Sequence, residues 1–285
     1  MLARLGQVQR VRAAVPLRLV PMVVRRSTEK AWAVPAIRQG AEMQMRHLLE
    51  HTERAAEVPV LAHGYVEQMT LRRYLRWHPK AITHQPVRGI DWLTTRRDPT
   101  RPAILNFMHH ARYDGMFASV ANAGAPLEMV MSPLVMSTRT PVELKQNARL
   151  MAMGATPHPS SIGTDAIIER MRPGVTMAIA SDVPSRTPVT FLGREVMGSF
   201  GAARIATMTN SPVVVITAHR EGDGSYLQLH EPLEPTAFDD PKELLRAILR
   251  HHEDAVLAWP EAVEVPMWRF APLDAPPLGA PWMTD

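Results

Sequence analysis

A histidine and a carboxylate five positions apart are the strongest candidates for chemistry in this 285-residue chain. His109 and Asp114 belong to the run His-His-Ala-Arg-Tyr-Asp-Gly, which follows the apolar segment 103–108 and precedes a predicted helix over 112–123. In such a strand-to-helix turn, the carboxylate can fold back and hold one imidazole nitrogen. The other nitrogen is then free to take a proton from an attacking hydroxyl or amine. An acyl group already activated as a thioester needs little more than that base and a stabilised oxyanion.

Other types of reactive site are absent or unfavourable in the sequence. The chain has no cysteine, which excludes disulfides, thiolate metal sites and a cysteine nucleophile. His251 and His252 are adjacent in a predicted helix, where neighbouring side chains point about 100° apart. We therefore interpret this pair as part of a solvated helix face, and we predict no metal site.

The elements that must position His109 alternate between strands and helices from about residue 86. This alternation predicts an α/β sandwich with a mostly parallel central sheet flanked by helices, in which chemistry is expected at the strand carboxyl ends. The run Thr140-Pro141-Val142-Glu143 has the form of a capping box that opens a helix. We expect three parts: a basic helical N-terminal region over 1–85, an α/β core over 86–272 and a Pro-rich tail over 273–285.

Positive charge is concentrated at the N-terminus. Residues 1–40 contain eight basic side chains against one acidic, although the net charge of the whole chain is only +4. A nucleic-acid-binding domain would carry its basic face through its body, so no nucleic-acid partner is expected. No apolar run reaches the ~20 residues of a spanning helix. Basic residues interleaved with Leu, Val and Met instead predict peripheral binding to the anionic cytoplasmic face of the cell membrane.

Two families that transfer acyl groups from thioesters share the pattern at residues 109–115. Condensation domains of peptide synthetases and chloramphenicol acetyltransferases use His-His-x3-Asp-Gly, and in that case His110 would be the base. The lysophospholipid acyltransferase superfamily uses His-x4-Asp/Glu, and in that case His109 would be the base.

The rest of the chain favours the second family. The segments 182–186, 189–195 and 211–215 resemble the late acyltransferases of lipid A biosynthesis and their relatives, the phosphatidylinositol mannoside acyltransferases. The resemblance extends upstream to 89–93 and downstream to 268–270, so that it covers roughly residues 40–272. A second lobe of a condensation domain is not recognisable.

The resemblance implies a set of functional residues. The catalytic residues would be His109 as base, Asp114 as its orienting partner and Glu195. Four further residues would bind substrate: Asp182, Arg186, His110 and Arg149. Of these, Arg186 is a candidate to bind a phosphate or to stabilise the oxyanion. The resemblance also implies acyl-CoA or an acyl carrier protein as donor, a lipid or glycolipid as acceptor, and no other cofactor.

Two alternatives remain open from the sequence. An N- or O-acyltransferase of a secondary-metabolite pathway, acting on a peptide or an amino sugar, would use the same residues without a lipid acceptor. A catalytically inactive lipid-binding homologue would keep the fold without turnover, although the joint presence of His109, Asp114 and Glu195 argues against it. The sequence by itself does not distinguish a lipid acceptor from a peptide or an amino sugar.

Overall fold

The computed structural model describes residues 11–137, 139–184 and 187–273. Its N-terminal part is helical, as predicted, with α1 over Val20–Trp32, α2 over Pro35–Leu49 and α3 over Val58–Leu75. Each of these helices has a proline in its first turn, where the missing N–H has no helical partner to lose. None of the described helices is both long enough and apolar enough to cross a membrane.

In chain order the strands are β1 Val87–Arg88, β2 Ala103–Phe107, β3 Leu127–Met131, β4 Ala155–Pro159, β5 Thr176–Ala180, β6 Thr187–Phe191, β7 Arg194–Gly198, β8 Val213–Glu221 and β9 Gly224–Leu229. Seven strands of the described residues form the central sheet in the order β1-β9-β8-β2-β5-β3-β4. Strands β8, β2, β5, β3 and β4 run parallel to one another. Strand β9 is antiparallel to β8, and β1 pairs in parallel with β9. Strands β6 and β7 form a separate antiparallel hairpin. The predicted α/β fold with a mostly parallel sheet is confirmed.

The remaining helices lie between and after the strands. They are α4 Met116–Asn122, α5 Pro133–Met136, α6 Val142–Met151, α7 Thr164–Ile168, α8 Gly201–Thr209, α9 Pro241–Ala258 and α10 Pro266–Arg269.

The capping box predicted for α6 is wrong. Pro141 occupies the N-cap position with extended backbone, and no side chain caps this helix end. The Thr140 hydroxyl instead donates to the Leu134 carbonyl of the preceding short helix, so it is not available to α6. By contrast, α9 has a side-chain N-cap, because the Asp240 carboxylate accepts a hydrogen bond from the Lys242 N–H.

The central strand β2 is buried along its whole length and contributes side chains to the core on both faces of the sheet. On one face, Ile104 shares a cluster with Met45 of α2 and Val66 of α3. On the other face, Leu105 shares a cluster with Phe117 of α4. Helices α2 and α3 therefore complete the core of the sheet rather than forming a separate module.

Candidate active site

Two adjacent strands bring His109 and Asp182 together. Strands β2 and β5 pair in parallel, with Phe107 opposite Ala180. His109 comes two residues after Phe107, and Asp182 comes two residues after Ala180. Nδ1 of His109 lies 2.8 Å from Oδ1 of Asp182, and the His109 backbone N–H donates to Oδ2 at 2.8 Å. One carboxylate thus holds both the ring and the backbone of the histidine.

The charge of Asp182 determines which imidazole nitrogen carries the proton. Burial alone would raise the pKa of Asp182, but His109 and Arg269 outweigh burial and hold this pKa well below its usual range. An ionised carboxylate only accepts hydrogen bonds, so Nδ1 of His109 is the protonated, donating nitrogen. Nε2 has no hydrogen-bond partner within the described residues and keeps its lone pair. His109 therefore has the tautomer that a general base requires.

Asp114 does not make the contact with His109 that the spacing predicted. Its carboxylate pairs with Arg76, with Oδ2 2.6 Å from Nε, and accepts a hydrogen bond from Nδ2 of Asn147 at 3.1 Å. The chain turns sharply at Ala111, which has a φ of 53°, and then enters a 3-10 turn over Tyr113–Gly115. This turn directs Asp114 to the end of α3, where it is 1% exposed.

Glu264 is the centre of a buried cluster of arginines beneath the histidine. Its carboxylate lies 3.3 Å from Arg72, 3.0 Å from Arg76 and 2.7 Å from Arg269, and it accepts a hydrogen bond from the Tyr113 hydroxyl at 2.9 Å. Burial opposes ionisation, but the three guanidinium groups outweigh it and hold the pKa of Glu264 well below its usual range. The Glu264 backbone N–H also donates to the carbonyl of His109 at 3.1 Å.

The other predicted site residues lie elsewhere. His110 is buried, with Nε2 2.9 Å from the Trp259 carbonyl, and burial lowers its pKa to about 4. Glu195 is exposed on β7 and Arg149 is exposed on α6, and neither contacts His109 or lines the cavity described below. Arg186 lies outside the described residues.

A network of hydrogen bonds between buried polar groups connects the ends of strands β2 and β5. The side-chain amide of Asn106 on β2 donates to Oγ of Ser181 at 2.7 Å and to the Ile179 carbonyl at 3.0 Å. Its oxygen lies 2.8 Å from Nε2 of His252 on α9. The interpretation of His252 as part of a solvated face is therefore wrong, because this side chain points into the core. These hydrogen bonds hold the ends of β2 and β5 in place directly before His109 and Asp182.

Acid is expected to destabilise the protein through His110 and His252. Burial lowers their pKa values to about 4 and about 3, from an ordinary value of 6.5. The unfolded chain then binds more protons than the folded one as the pH falls below 6.5, so stability is lost on acidification. The His110 shift alone corresponds to about 3 kcal/mol between pH 6.5 and pH 4. Chemical denaturation at several pH values should show this loss, and His110→Gln should reduce it; an unchanged pH slope would contradict the assignment.

A cavity of about 1080 Å³ opens beside His109. Its polar lining includes Arg72, Arg73, Arg76, Asn147, Glu264 and Arg269. The rest of the lining is largely apolar and comes from the N-terminal helices, the ends of β2, β3 and β5, and the segment 132–151. It includes Ala31, Ile37, Ala41, Val66, Met69, Phe107, Val130, Met131, Leu134, Val135, Leu144, Met151 and Ala180. A base in the wall of a large, mainly apolar cavity suits a substrate with a reactive head and a hydrocarbon tail.

Comparison with protein families gives a match over residues 42–263 to the family described as bacterial lipid A biosynthesis acyltransferase. The chain belongs to this family. The match includes His109, Asp114 and Asp182 and ends one residue before Glu264. As a member of the lipid A acyltransferase family, the protein is an acyltransferase of lipid biosynthesis, and the predicted family is confirmed.

Comparison with solved structures shows similarity to the 1-acyl-sn-glycerophosphate acyltransferase PlsC from Thermotoga maritima. The two sequences are 16% identical, the alignment covers 87% of this chain and 96% of PlsC, and the TM-score is 0.43. A comparison with curated protein sequences gave no match.

Several site residues of this lipid A acyltransferase family member were missed from the sequence. Arg72 lies near the end of α3 and Arg76 directly follows that helix, both far upstream of the histidine motif. Glu264 and Arg269 belong to residues 260–270, which we call the closing segment. Trp268-Arg269-Phe270 was part of the family resemblance, but no chemistry was assigned to it. One signal was available: Arg72 and Arg76 are four residues apart, so they share one face of a predicted helix.

Proposed function

We propose that the protein transfers a fatty acyl group from a thioester donor, acyl-CoA or an acyl carrier protein, to a hydroxyl or amine of a lipid or glycolipid. The observation that carries the proposal is the His109–Asp182 pair at the wall of a large, mainly apolar cavity. Asp182 takes the orienting role that the sequence motif assigned to Asp114. Asp114 supports the site indirectly by pairing with Arg76.

The reaction follows from the tautomer of His109. Nε2 accepts the proton of the acceptor hydroxyl or amine while that group attacks the thioester carbonyl. Asp182 stays ionised and stabilises the imidazolium that forms. When the carbon–sulfur bond breaks, His109 returns the proton to the thiolate. The acyl group passes directly to the acceptor, without a covalent enzyme intermediate.

The volume of the cavity suits a lipid substrate. At about 1080 Å³ it exceeds the ~300–1,000 Å³ of ordinary small-molecule sites. Methionines such as Met69, Met131 and Met151 line it, and their unbranched side chains adapt to flexible hydrocarbon tails. An acyl chain would lie against this apolar lining with its carbonyl next to His109.

The N-terminal helices provide a surface for the membrane that holds the acceptor. Leu17, Met22 and Ile37 are between 43% and 48% exposed, and Ile37 also lines the cavity. Arg18 and Arg25 are exposed close to them in sequence. Apolar side chains that enter the interface, together with cations that pair with anionic headgroups, are typical of peripheral membrane binding. We propose that this face docks on the cytoplasmic surface of the cell membrane.

The proposal is tested by transfer of a radiolabelled palmitoyl group to lipid. Labelled palmitoyl-CoA, or palmitoyl carrier protein, is incubated with vesicles of a bacterial membrane lipid extract, and the lipid products are separated. We expect label in a lipid product with equal release of thiol, and lower transfer at high salt because salt screens vesicle binding. Thiol release that is independent of lipid, with label on a water-soluble amine, would favour the secondary-metabolite alternative. Lack of release from both donors would contradict the proposal.

A further inference from the structure

Asn147 on α6 has a hydrogen-bond acceptor that none of the described residues uses. The residue is 4% exposed and lines the same cavity as His109. Its Nδ2 donates to the Tyr113 hydroxyl at 2.6 Å and to Oδ1 of Asp114 at 3.1 Å. Its own Oδ1 has no hydrogen-bond partner in the described part of the chain, and unlike Nη1 of Arg72 it is not sealed from its surroundings. This oxygen is therefore accessible from the cavity.

The neighbours of Asn147 determine which end of its amide faces the cavity. The Asp114 carboxylate, paired with Arg76, only accepts hydrogen bonds, so the amide atom beside it is the nitrogen. The Tyr113 hydroxyl donates its proton to Glu264 at 2.9 Å, so it also accepts from Asn147. A flipped amide would turn its oxygen toward two acceptors. Asn147 therefore has its nitrogen bound inside the protein and its oxygen toward the cavity.

Tyr113 links this amide to the candidate base. Its hydroxyl accepts from Asn147, and the centroid of its ring lies 4.6 Å from that of the His109 ring. The amide and the imidazole are thus separated by one side chain and one hydrogen bond, and both line the cavity. A substrate that reacts at His109 has its polar head in this part of the cavity, so the oxygen of Asn147 faces the head rather than the hydrocarbon tail.

The chemistry of the oxygen determines which substrate group it can bind. A carboxamide oxygen only accepts hydrogen bonds, so it needs an N–H or O–H group opposite, which an ionised phosphate does not supply. A ligand that covers the oxygen in a mainly apolar cavity without such a group leaves it unpaired, and binding is weaker for that reason. Both substrates of the proposed reaction carry such groups. The donor has the amide N–H groups of its pantetheine arm, and the acceptor has hydroxyls or an amine.

We propose that Asn147 is a substrate-binding residue whose Oδ1 accepts a hydrogen bond from an N–H or O–H group in the polar head of a substrate. The inference rests on the proposed function, and it names the kind of group that the cavity recognises beside the candidate base. The amide of Asn147 forms no covalent bond and transfers no proton.

Asn147→Leu tests this role, because leucine has nearly the same shape as asparagine and no acceptor. Binding of hexadecyl-CoA thioether, or of hexadecyl carrier protein if the carrier is the active donor, is measured by calorimetry, since both keep the pantetheine amides. Thiol release at saturating donor and varied concentration of bacterial lipid vesicles gives the KM for the acceptor. We expect one of these two constants to rise by about 2–10-fold, the usual weight of one neutral hydrogen bond.

Two further variants separate binding from structure. Asn147→Asp keeps an oxygen toward the cavity and loses the amide nitrogen, so it should show a smaller rise than Asn147→Leu. Gln146→Leu is the matched control, because Gln146 is the neighbouring amide on α6 and donates to the Arg76 carbonyl at 2.9 Å, but does not line the cavity. Its constants should equal those of wild type. Asn147→Ala, checked by thermal unfolding, replaces Asn147→Leu if the leucine variant does not fold.

The outcomes separate the role of Asn147 from the proposed function. A raised Kd for the thioether would support the role and identify a pantetheine amide as the partner, whereas a raised vesicle KM alone would support it and identify the acceptor. If wild type releases no thiol from either donor, the proposed function fails and the role of Asn147 fails with it. If wild type is active and Asn147→Leu changes neither constant, or changes only kcat, the binding role alone is overturned. An equal rise in Asn147→Asp or in Gln146→Leu would show a structural effect and would also overturn it.

Discussion

His109→Gln is expected to lower kcat for thiol release by about 10²–10⁴, the usual contribution of a positioned general base. Glutamine has no group that can take a proton from the acceptor at neutral pH, although its amide can still bind Asp182. KM should change little, because the apolar lining of the cavity, rather than the imidazole, provides most of the contact area. Thiol release from palmitoyl-CoA in the presence of lipid vesicles measures both constants.

His110→Gln is the matched control for this substitution. The His110 ring lies against Trp259 and donates to its carbonyl, and it does not line the cavity. Its replacement should lower thermal stability and leave kcat close to that of wild type. Loss of activity in His110→Gln with activity retained in His109→Gln would point to condensation-domain chemistry and would contradict the assignment of the base.

Asp182→Asn is expected to lower kcat by as much as about 10⁴, the loss seen when the equivalent aspartate of a serine protease triad is changed to asparagine. An asparagine amide that donates to Nδ1 would place the proton on Nε2, so the lone pair that accepts the substrate proton would be lost. The imidazolium would also lose its only contacting carboxylate within the described residues. A pH–rate profile of kcat for both proteins should show the lower rate of the variant together with an altered pH dependence, which reports the loss of the carboxylate next to His109.

Asp114→Asn separates the two carboxylates that compete for the orienting role. Asp114 contacts Arg76 and Asn147, so its replacement should cost stability, by ~3 kcal/mol for a broken buried ion pair, and should affect kcat much less than Asp182→Asn. Urea denaturation and thiol release on the same samples distinguish the two effects. A larger kcat loss in Asp114→Asn than in Asp182→Asn would restore the dyad that the sequence motif predicted.

The sheet and its helices could be predicted because local patterns determine them. The apolar run over 103–108 is a buried central strand and ends close to where its pattern ended. The turn after His109 was also predicted from local sequence, because it joins that apolar run to the helix pattern that follows. These predictions required only the period of apolar residues and the positions of Pro and Gly.

The partner of His109 could not be predicted, because it depends on which strands are neighbours. Asp182 is 73 residues away in sequence and meets His109 only because β5 lies beside β2 in a specific register. Spacing along the chain favoured Asp114, but the positive φ of Ala111 turned that carboxylate away. Likewise, Glu264 and Arg72 approach the site through packing of α3 against the closing segment, which no local pattern encodes.

The proton between His109 and Asp182 provides the most direct test of the proposed catalytic pair. In wild type, the Nδ1 proton should give a far-downfield proton NMR signal that is assigned by its loss in His109→Gln. The proposed pair predicts that this signal disappears in Asp182→Asn and persists in Asp114→Asn. A signal that persists in Asp182→Asn but disappears in Asp114→Asn would contradict it.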